Sequence, residues 1–145
     1  VRLRRRRDAS LRGCVGRVEP CDPLLAAVRR AAVAAASADP RFAPVTIDEL
    51  PTLAVQVSVL GPLLSVRPDE VEVGVHGLWV SHRGRQAVLL PQVAARAGWE
   101  REVFLGRTCG KAGLPHDAWR DPLCRIRAFT ALSFADGPEL PVPPA

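Results

Sequence analysis

The run Leu53-Ala54-Val55-Gln56-Val57-Ser58-Val59-Leu60 constrains the fold more than any other segment of the chain. A β-branched residue at every second position favours an extended backbone over a helix. In a strand, Val55, Val57 and Val59 share one face, while Ala54, Gln56 and Ser58 share the other. The valine face reads as core. The small, polar face suits the wall of a cleft. A sheet therefore lies at the centre of this chain, and the other segments are arranged around it.

Residues 1–7 and 11–18 read as a strand–turn–strand unit with Asp8-Ala9-Ser10 at the turn. Asp22-Pro23 is a helix start, an acceptor side chain followed by proline at the first helical position. Leu24, Leu25, Val28, Ala31, Ala32 and Ala35 follow at helical spacing, and Asp39-Pro40 ends the run. The many alanines point to close packing on a sheet. Further strands are expected over 71–75, 78–80 and 87–90, then a short helix from Pro91-Gln92 through Ala97. Another helix is expected from about Glu100 to Lys111, ended by Gly113-Leu114-Pro115. Residues 125–134 read as one final strand with Ile126, Ala128, Leu132 and Phe134 on its core face. Strands and helices do not alternate regularly, which argues for an α+β fold built on a mainly antiparallel, curled sheet flanked by helices. Residues 1–136 are expected to form one domain, and the proline-rich tail over 137–145 to be disordered.

At 145 residues the chain is long enough to bury a conventional core. Its net charge of +5 invites a nucleic-acid reading, but residues 4–7 are all arginine and supply four of those charges. Such a tract is more often a solvated strand face or tail, and stacking aromatics and recognition motifs are missing. Only Lys111 among the twenty basic residues is a lysine. Cys14, Cys21, Cys109 and Cys124 contain no C-x-x-C pair and no zinc-type spacing, so a reduced, cytoplasmic chain without a metal is expected. No apolar stretch reaches membrane-spanning length, because Arg29 and Arg30 interrupt the longest. The absence of any Met, even at position 1, fits a chain that begins inside a longer protein.

The chemistry concentrates in Leu11-Arg12-Gly13-Cys14-Val15-Gly16. Glycines on both sides of a thiol allow unusual backbone conformations and close approach of a ligand. Arg12, with Arg17 beyond, would favour the reactive thiolate of Cys14. The opposing reading makes Cys14 a small residue where backbones cross, since free cysteines are commonly buried and inert. A nucleophilic cysteine needs a base. His76, in a glycine-flanked turn, is the first candidate; His82 and His116 read as loop surface.

Six segments match one family in order: Leu11-Arg12-Gly13-Cys14-Val15-Gly16, Asp39-Pro40-Arg41-Phe42, Val57-Ser58-Val59-Leu60, Gly74-Val75-His76-Gly77-Leu78, Leu90-Pro91-Gln92-Val93 and Lys111-Ala112-Gly113-Leu114-Pro115. Through them the chain resembles the AMMECR domain family, known in prokaryotes as AmmeMemoRadiSam system protein A, over about residues 1–134. The resemblance implies an α+β fold with a cleft near the Arg-Gly-Cys loop, and an N-terminal helical segment ahead of the first strand that this chain lacks. It also implies partners: a Memo-like protein and a radical S-adenosylmethionine protein. It implies no established mechanism or cofactor. Two departures stand out. Arg17 replaces a small hydroxyl residue, and Gln56 stands where an acidic residue is common.

Within these segments the expected site joins Cys14 and His76 as catalytic candidates to Arg12, Gly13, Gly16, Ser58, Gln92 and Lys111 as ligand contacts, suited to a small anion. Arg41 and Lys111 have a competing assignment as charges at helix C-termini. The expected function is a modification or redox process alongside the two partner proteins. The alternatives are a non-catalytic interaction module and, last, a nucleic-acid-binding domain.

Overall fold

A computed structural model describes residues 1–19 and 22–136, so Cys21 and the tail over 137–145 lie outside the described residues. The chain forms two compact units: Val1–Val59 together with the residues from Leu132 onward, and Leu60–Ala131.

In the first unit, β1 (Arg2–Arg5), β2 (Leu11–Cys14), β3 (Leu53–Leu60) and β8 (Ala131–Ala135) form a four-stranded sheet in the order β2-β1-β3-β8. Strand β1 pairs antiparallel with both β2 and β3. The β1–β2 turn closes as expected: Asp8 Oδ1 accepts the Ser10 N–H at 2.9 Å, and Ala9 takes a positive φ of 57°. The register between β1 and β2 slips once. Leu3 faces Gly13 while Arg4 faces Leu11, which leaves Arg12 as the extra residue of a β-bulge.

Helix α1 (Leu24–Ser37) has the expected span, but Pro23 occupies the cap position and Asp22 pairs with Arg30 instead of capping. Only Ala35 of the helix is buried, and Leu24 and Leu25 are exposed. The core of this unit is small: Leu3, Ala35 and Leu53, with half-buried Val55 against them. The rest of the valine face of β3 is likewise half-buried.

The second unit holds β4 (Leu64–Ser65), β5 (Gly77–His82), β6 (Arg85–Leu89) and β7 (Arg125–Phe129) in the order β4-β7-β5-β6, with antiparallel pairing throughout. Helices α2 (Pro91–Ala97) and α3 (Arg101–Lys111) follow β6, close to their expected positions. The core gathers Val71, Leu78, Val80, Ala94, Phe104, Leu105, Cys109, Ile126 and Ala128. Arg83 and Gly84 both have positive φ (48° and 77°), the two-residue turn that matches the twist of a hairpin.

Some of these expectations are corrected. Residues 71–75 are not a strand, because Gly74 sits at φ 90° and the Val75 and His76 N–H groups both turn back to the Glu72 carbonyl. The expected antiparallel sheet structure is present, divided into two four-stranded sheets. The single strand over 125–134 is two, β7 in one sheet and β8 in the other, and Leu132 and Phe134 are exposed rather than core. The arginine tract at 4–7 lies on a strand and turn, the strand-face reading, but is not wholly solvated: Arg4 is buried with Nη1 on the Ala9 carbonyl, Arg5 reaches Ser10, Arg6 pairs with Asp136 and Arg7 with Asp8. Among the described residues, no helix is long and apolar enough to cross a membrane.

Candidate functional site

The bulge at Arg12 decides the local geometry. Its side chain turns inward and is 6% exposed. Nε and Nη2 donate to the two oxygens of Glu49, both at 2.9 Å, Nη1 donates to the Ala43 carbonyl at 2.8 Å, and Nη2 also reaches the Pro44 carbonyl. Four of the five guanidinium N–H donors are thus accounted for inside the unit. Glu49 in turn closes a capping box on the Thr46 N–H, and its carboxyl is lowered to about 2, first by Arg12 and then by that N–H. The expectation of Arg12 as a free anion contact is therefore corrected: the bulge sends its guanidinium into the protein.

Gly13 serves packing. A Cβ there would lie 2.0 Å from the Ala35 carbonyl oxygen, so the glycine lets α1 lie directly on β2. Gly16 has no such neighbour; a Cβ would meet nothing closer than 3.9 Å. Neither glycine has a positive φ, so the loop does not use the backbone freedom that motivated its reading.

Cys14 is half-buried at the end of β2. Its N–H donates to Asp39 Oδ2 at 2.8 Å, and Asp39 is itself buried. The same carboxylate accepts from the Arg41 backbone N–H at 3.1 Å, from Nε at 2.9 Å and from Nη2 at 2.6 Å. Arg41, with its side chain 55% exposed, also reaches the Cys14 carbonyl at 3.4 Å. The Arg41 guanidinium holds the Asp39 carboxyl well below the usual carboxylate range, helped by the two backbone N–H groups. Phe42 completes the group, with the Arg41 and Arg12 guanidinium carbons 5.5 and 6.0 Å from its ring centre. The cation on Cys14 is therefore Arg41. The competing assignment of Arg41 to the C-terminus of α1 is not what the structure shows: its guanidinium binds Asp39 and the Cys14 carbonyl.

Ser58 lies on β3, with β1 between it and β2, and its hydroxyl pairs with Ser133 at 2.9 Å. His76, Gln92 and Lys111 belong to the second unit. His76 Nδ1 accepts the Glu72 N–H at 3.0 Å, so a neutral ring carries its proton on Nε2 and offers a donor there, not a base. Gln92 is in the first turn of α2, and Lys111 ends α3 with Nζ on the Val88 carbonyl at 2.8 Å. His82 was expected at a loop surface. It is buried at the end of β5, with Nε2 3.5 Å from Asp121 Oδ2. The first unit contains no histidine at all, so within it Cys14 has no imidazole partner. A shallow depression of about 450 Å³ on the second unit, lined by Glu102, Arg107, His116 and Trp119 among others, includes none of the predicted site residues.

The family profile AMMECR1 matches residues 1–134. The chain belongs to the AMMECR1 family. A protein of Methanothermobacter thermautotrophicus is 46% identical over 135 residues, covering 88% of this chain and 70% of that protein. Protein TK0174 of Thermococcus kodakarensis is 45% identical over 133 residues, covering 88% and 65%. The crystal structure of the uncharacterized protein PH0010 from Pyrococcus horikoshii superposes with a TM-score of 0.83 at 42% identity, covering 93% of this chain and 71% of that one. The chain thus spans about two thirds of the length of the relatives it matches. The AMMECR1 assignment accounts for the α+β fold with antiparallel sheets.

Asp39, Arg41 and Glu49 are the residues that sequence reasoning underrated. Asp39 and Arg41 lay in a matching segment, Asp39-Pro40-Arg41-Phe42, which was the available signal. Glu49 lay outside every matching segment; the Thr-x-x-Glu spacing from Thr46 marked a capping box but not an arginine partner.

Proposed function

We propose that the Cys14 end of β2 is the ligand-contacting surface of this AMMECR1 chain, with Cys14 as its thiol and Arg41 as its cation. One observation carries this: a half-exposed guanidinium on the Cys14 carbonyl, with that guanidinium and the Cys14 backbone N–H both held by one buried carboxylate. A guanidinium in that position stabilises negative charge on sulfur or on an incoming carboxylate or phosphate. Asp39 fixes the Cys14 backbone and the Arg41 head together, so the pair is preorganised. The setting proposed for this site is a modification or redox process with a Memo-like and a radical S-adenosylmethionine partner, which rests on the family resemblance. With Arg12 and Gly13 internal, the same end of β2 is also a fixed shape for docking a partner without chemistry.

The test is competitive alkylation with iodoacetamide, mapped by peptide. Cys14, on tryptic fragment 13–17, is expected to react several-fold faster than Cys124, and Arg41→Gln to remove that advantage. Equal rates for Cys14 in natural and Arg41→Gln chains would sink the reactive version. A Cys14→Ser chain that still captured a Memo-like partner would then favour docking.

A further inference from the structure

Asp39 and Arg41 hold the backbone of Cys14 along the outer edge of β2. The side chain of Cys14 belongs to a different surface. A Cβ on Gly13 would point at the Ala35 carbonyl oxygen, so Gly13 faces α1. Successive strand residues alternate, and Cys14 therefore projects from the opposite face of the sheet. Register fixes its neighbours there. Cys14 stands opposite Arg2 on β1, and Arg2 stands opposite Gln56 on β3. Val1 and Val15 exchange both backbone hydrogen bonds, which makes Arg2 and Cys14 the adjoining non-hydrogen-bonded pair. Such pairs bring side chains closest, with Cβ atoms about 5 Å apart. All three residues are half-buried. Among the described residues, the Arg2 guanidinium has no carboxylate or hydrogen-bond acceptor, and the Gln56 side-chain amide makes no hydrogen bond. Arg4, the next residue of β1 on this face, is buried with Nη1 on the Ala9 carbonyl. A carboxylate at position 56 would pair with Arg2 across the strands, but the neutral amide does not. A half-buried positive charge thus lies beside a thiol with its fork open.

We propose that Arg2, Cys14 and Gln56 form one cross-strand row that binds a small carboxylate ligand, which rests on the reading of Cys14 as the ligand-contacting thiol. Arg2 takes the carboxylate in its two-pronged fork, and Gln56 donates an amide N–H to the same group. The Cys14 sulfur then lies against the carbon next to the carboxylate. A single guanidinium matches a single negative charge, which favours a carboxylate over a doubly charged phosphate. Arg41 stays at the strand edge, so the two arginines have separate tasks.

The probe is iodoacetate, which carries a carboxylate beside the carbon that sulfur attacks, set against neutral iodoacetamide. Both reagents consume the same thiolate and release iodide, so the ratio of their rates cancels thiolate content and reads docking of the carboxylate. On the full chain at fixed ionic strength, the ratio at Cys14 is expected to be several-fold above that of free glutathione. Arg2→Gln should bring it down to the glutathione value, and Gln56→Glu should do the same by filling the fork from within. Arg41→Gln should slow both reagents and keep the ratio. A natural chain with the glutathione ratio, or an Arg2→Gln chain with the natural one, would overturn the row. A ratio lost only in Arg41→Gln would give the anion to Arg41, so that this proposal falls while the reading of the Cys14 edge stands. Inorganic phosphate slowing iodoacetate at lower concentration than acetate does would overturn the carboxylate assignment. If Cys14 resists both reagents, the reading of the thiol fails, and acetate binding judges the row. Acetate in place of chloride should then raise the urea midpoint of the first unit more in the natural chain than in Arg2→Gln, and equal shifts would overturn it.

Discussion

Arg12 Nε and Nη2 grip the two Glu49 oxygens at 2.9 Å each, and this pair joins the bulge of β2 to the 3-10 turn over Ile47–Thr52. In a regular strand, residues two apart share a face, so Arg12 and Cys14 would project together. The extra residue at the bulge breaks that relation, and Arg12 becomes an internal brace while Arg41 is the arginine that reaches Cys14, at its carbonyl.

Removing the brace should destabilise the first unit without touching Cys14 reactivity directly. Arg12→Ala leaves the Glu49 carboxylate and two carbonyls without their donor and is expected to cost about 3 kcal/mol. Arg12→Lys should recover little, because a lysine cannot make the bidentate fork. Far-UV circular dichroism during urea unfolding reads this. Tryptophan fluorescence does not, since Trp79, Trp99 and Trp119 all lie in the second unit. A loss below about 0.5 kcal/mol, typical of surface sites, would contradict the brace.

The two glycines around Cys14 should behave oppositely. Gly13→Ala forces a Cβ into the Ala35 carbonyl and pushes α1 off the sheet, costing upwards of about 2 kcal/mol. Gly16→Ala has room and a permitted φ, and is expected to be near neutral or slightly stabilising. Thermal melts of the two variants side by side make the comparison.

Acid should weaken the first unit through Asp39 and Glu49. Both carboxyls are lowered in the folded chain, so each unfolded state binds its proton first. Their contribution is complete above the unfolded values near 4 and is lost as pH falls towards about 2, where Glu49 protonates in place, with Asp39 following below. The urea midpoint seen by circular dichroism should fall between pH 5 and pH 2, and Glu49→Gln should flatten part of that slope. An unchanged slope in Glu49→Gln would show that the carboxylate is not held by Arg12.

In the second unit, Gly77 faces Phe129 across the β5–β7 pair, and a Cβ would lie 2.5 Å from the ring and 3.0 Å from the Leu89 carbonyl oxygen. Gly77→Ala is expected to cost about 2 kcal/mol. Here tryptophan fluorescence is the right probe, because Trp79 sits two residues along the same strand.

Most element positions could be read from local pattern. Strand β3 and helices α1, α2 and α3 follow from alternation, helical spacing and the Pro and Gly punctuation around them. The misreadings share a cause. Residues 71–75 alternate like a strand, but Gly74 turns the chain. Residues 125–134 read as one continuous strand, but the break at Thr130 sends its halves to different sheets. Apolar pattern reports what a segment prefers locally, while sheet membership depends on partners far away in sequence.

The candidate site divides the same way. Local sequence was enough to mark the Arg-Gly-Cys loop, to set the span of α1 and to show the family through ordered motifs. Which arginine meets Cys14 was decided in three dimensions, by a one-residue bulge and by a carboxylate 25 positions away. Side-chain direction in a strand reverses with each added residue, so a single unpaired position exchanges an activator for a brace. No motif carries that information, because it exists only once β1 and β2 have paired.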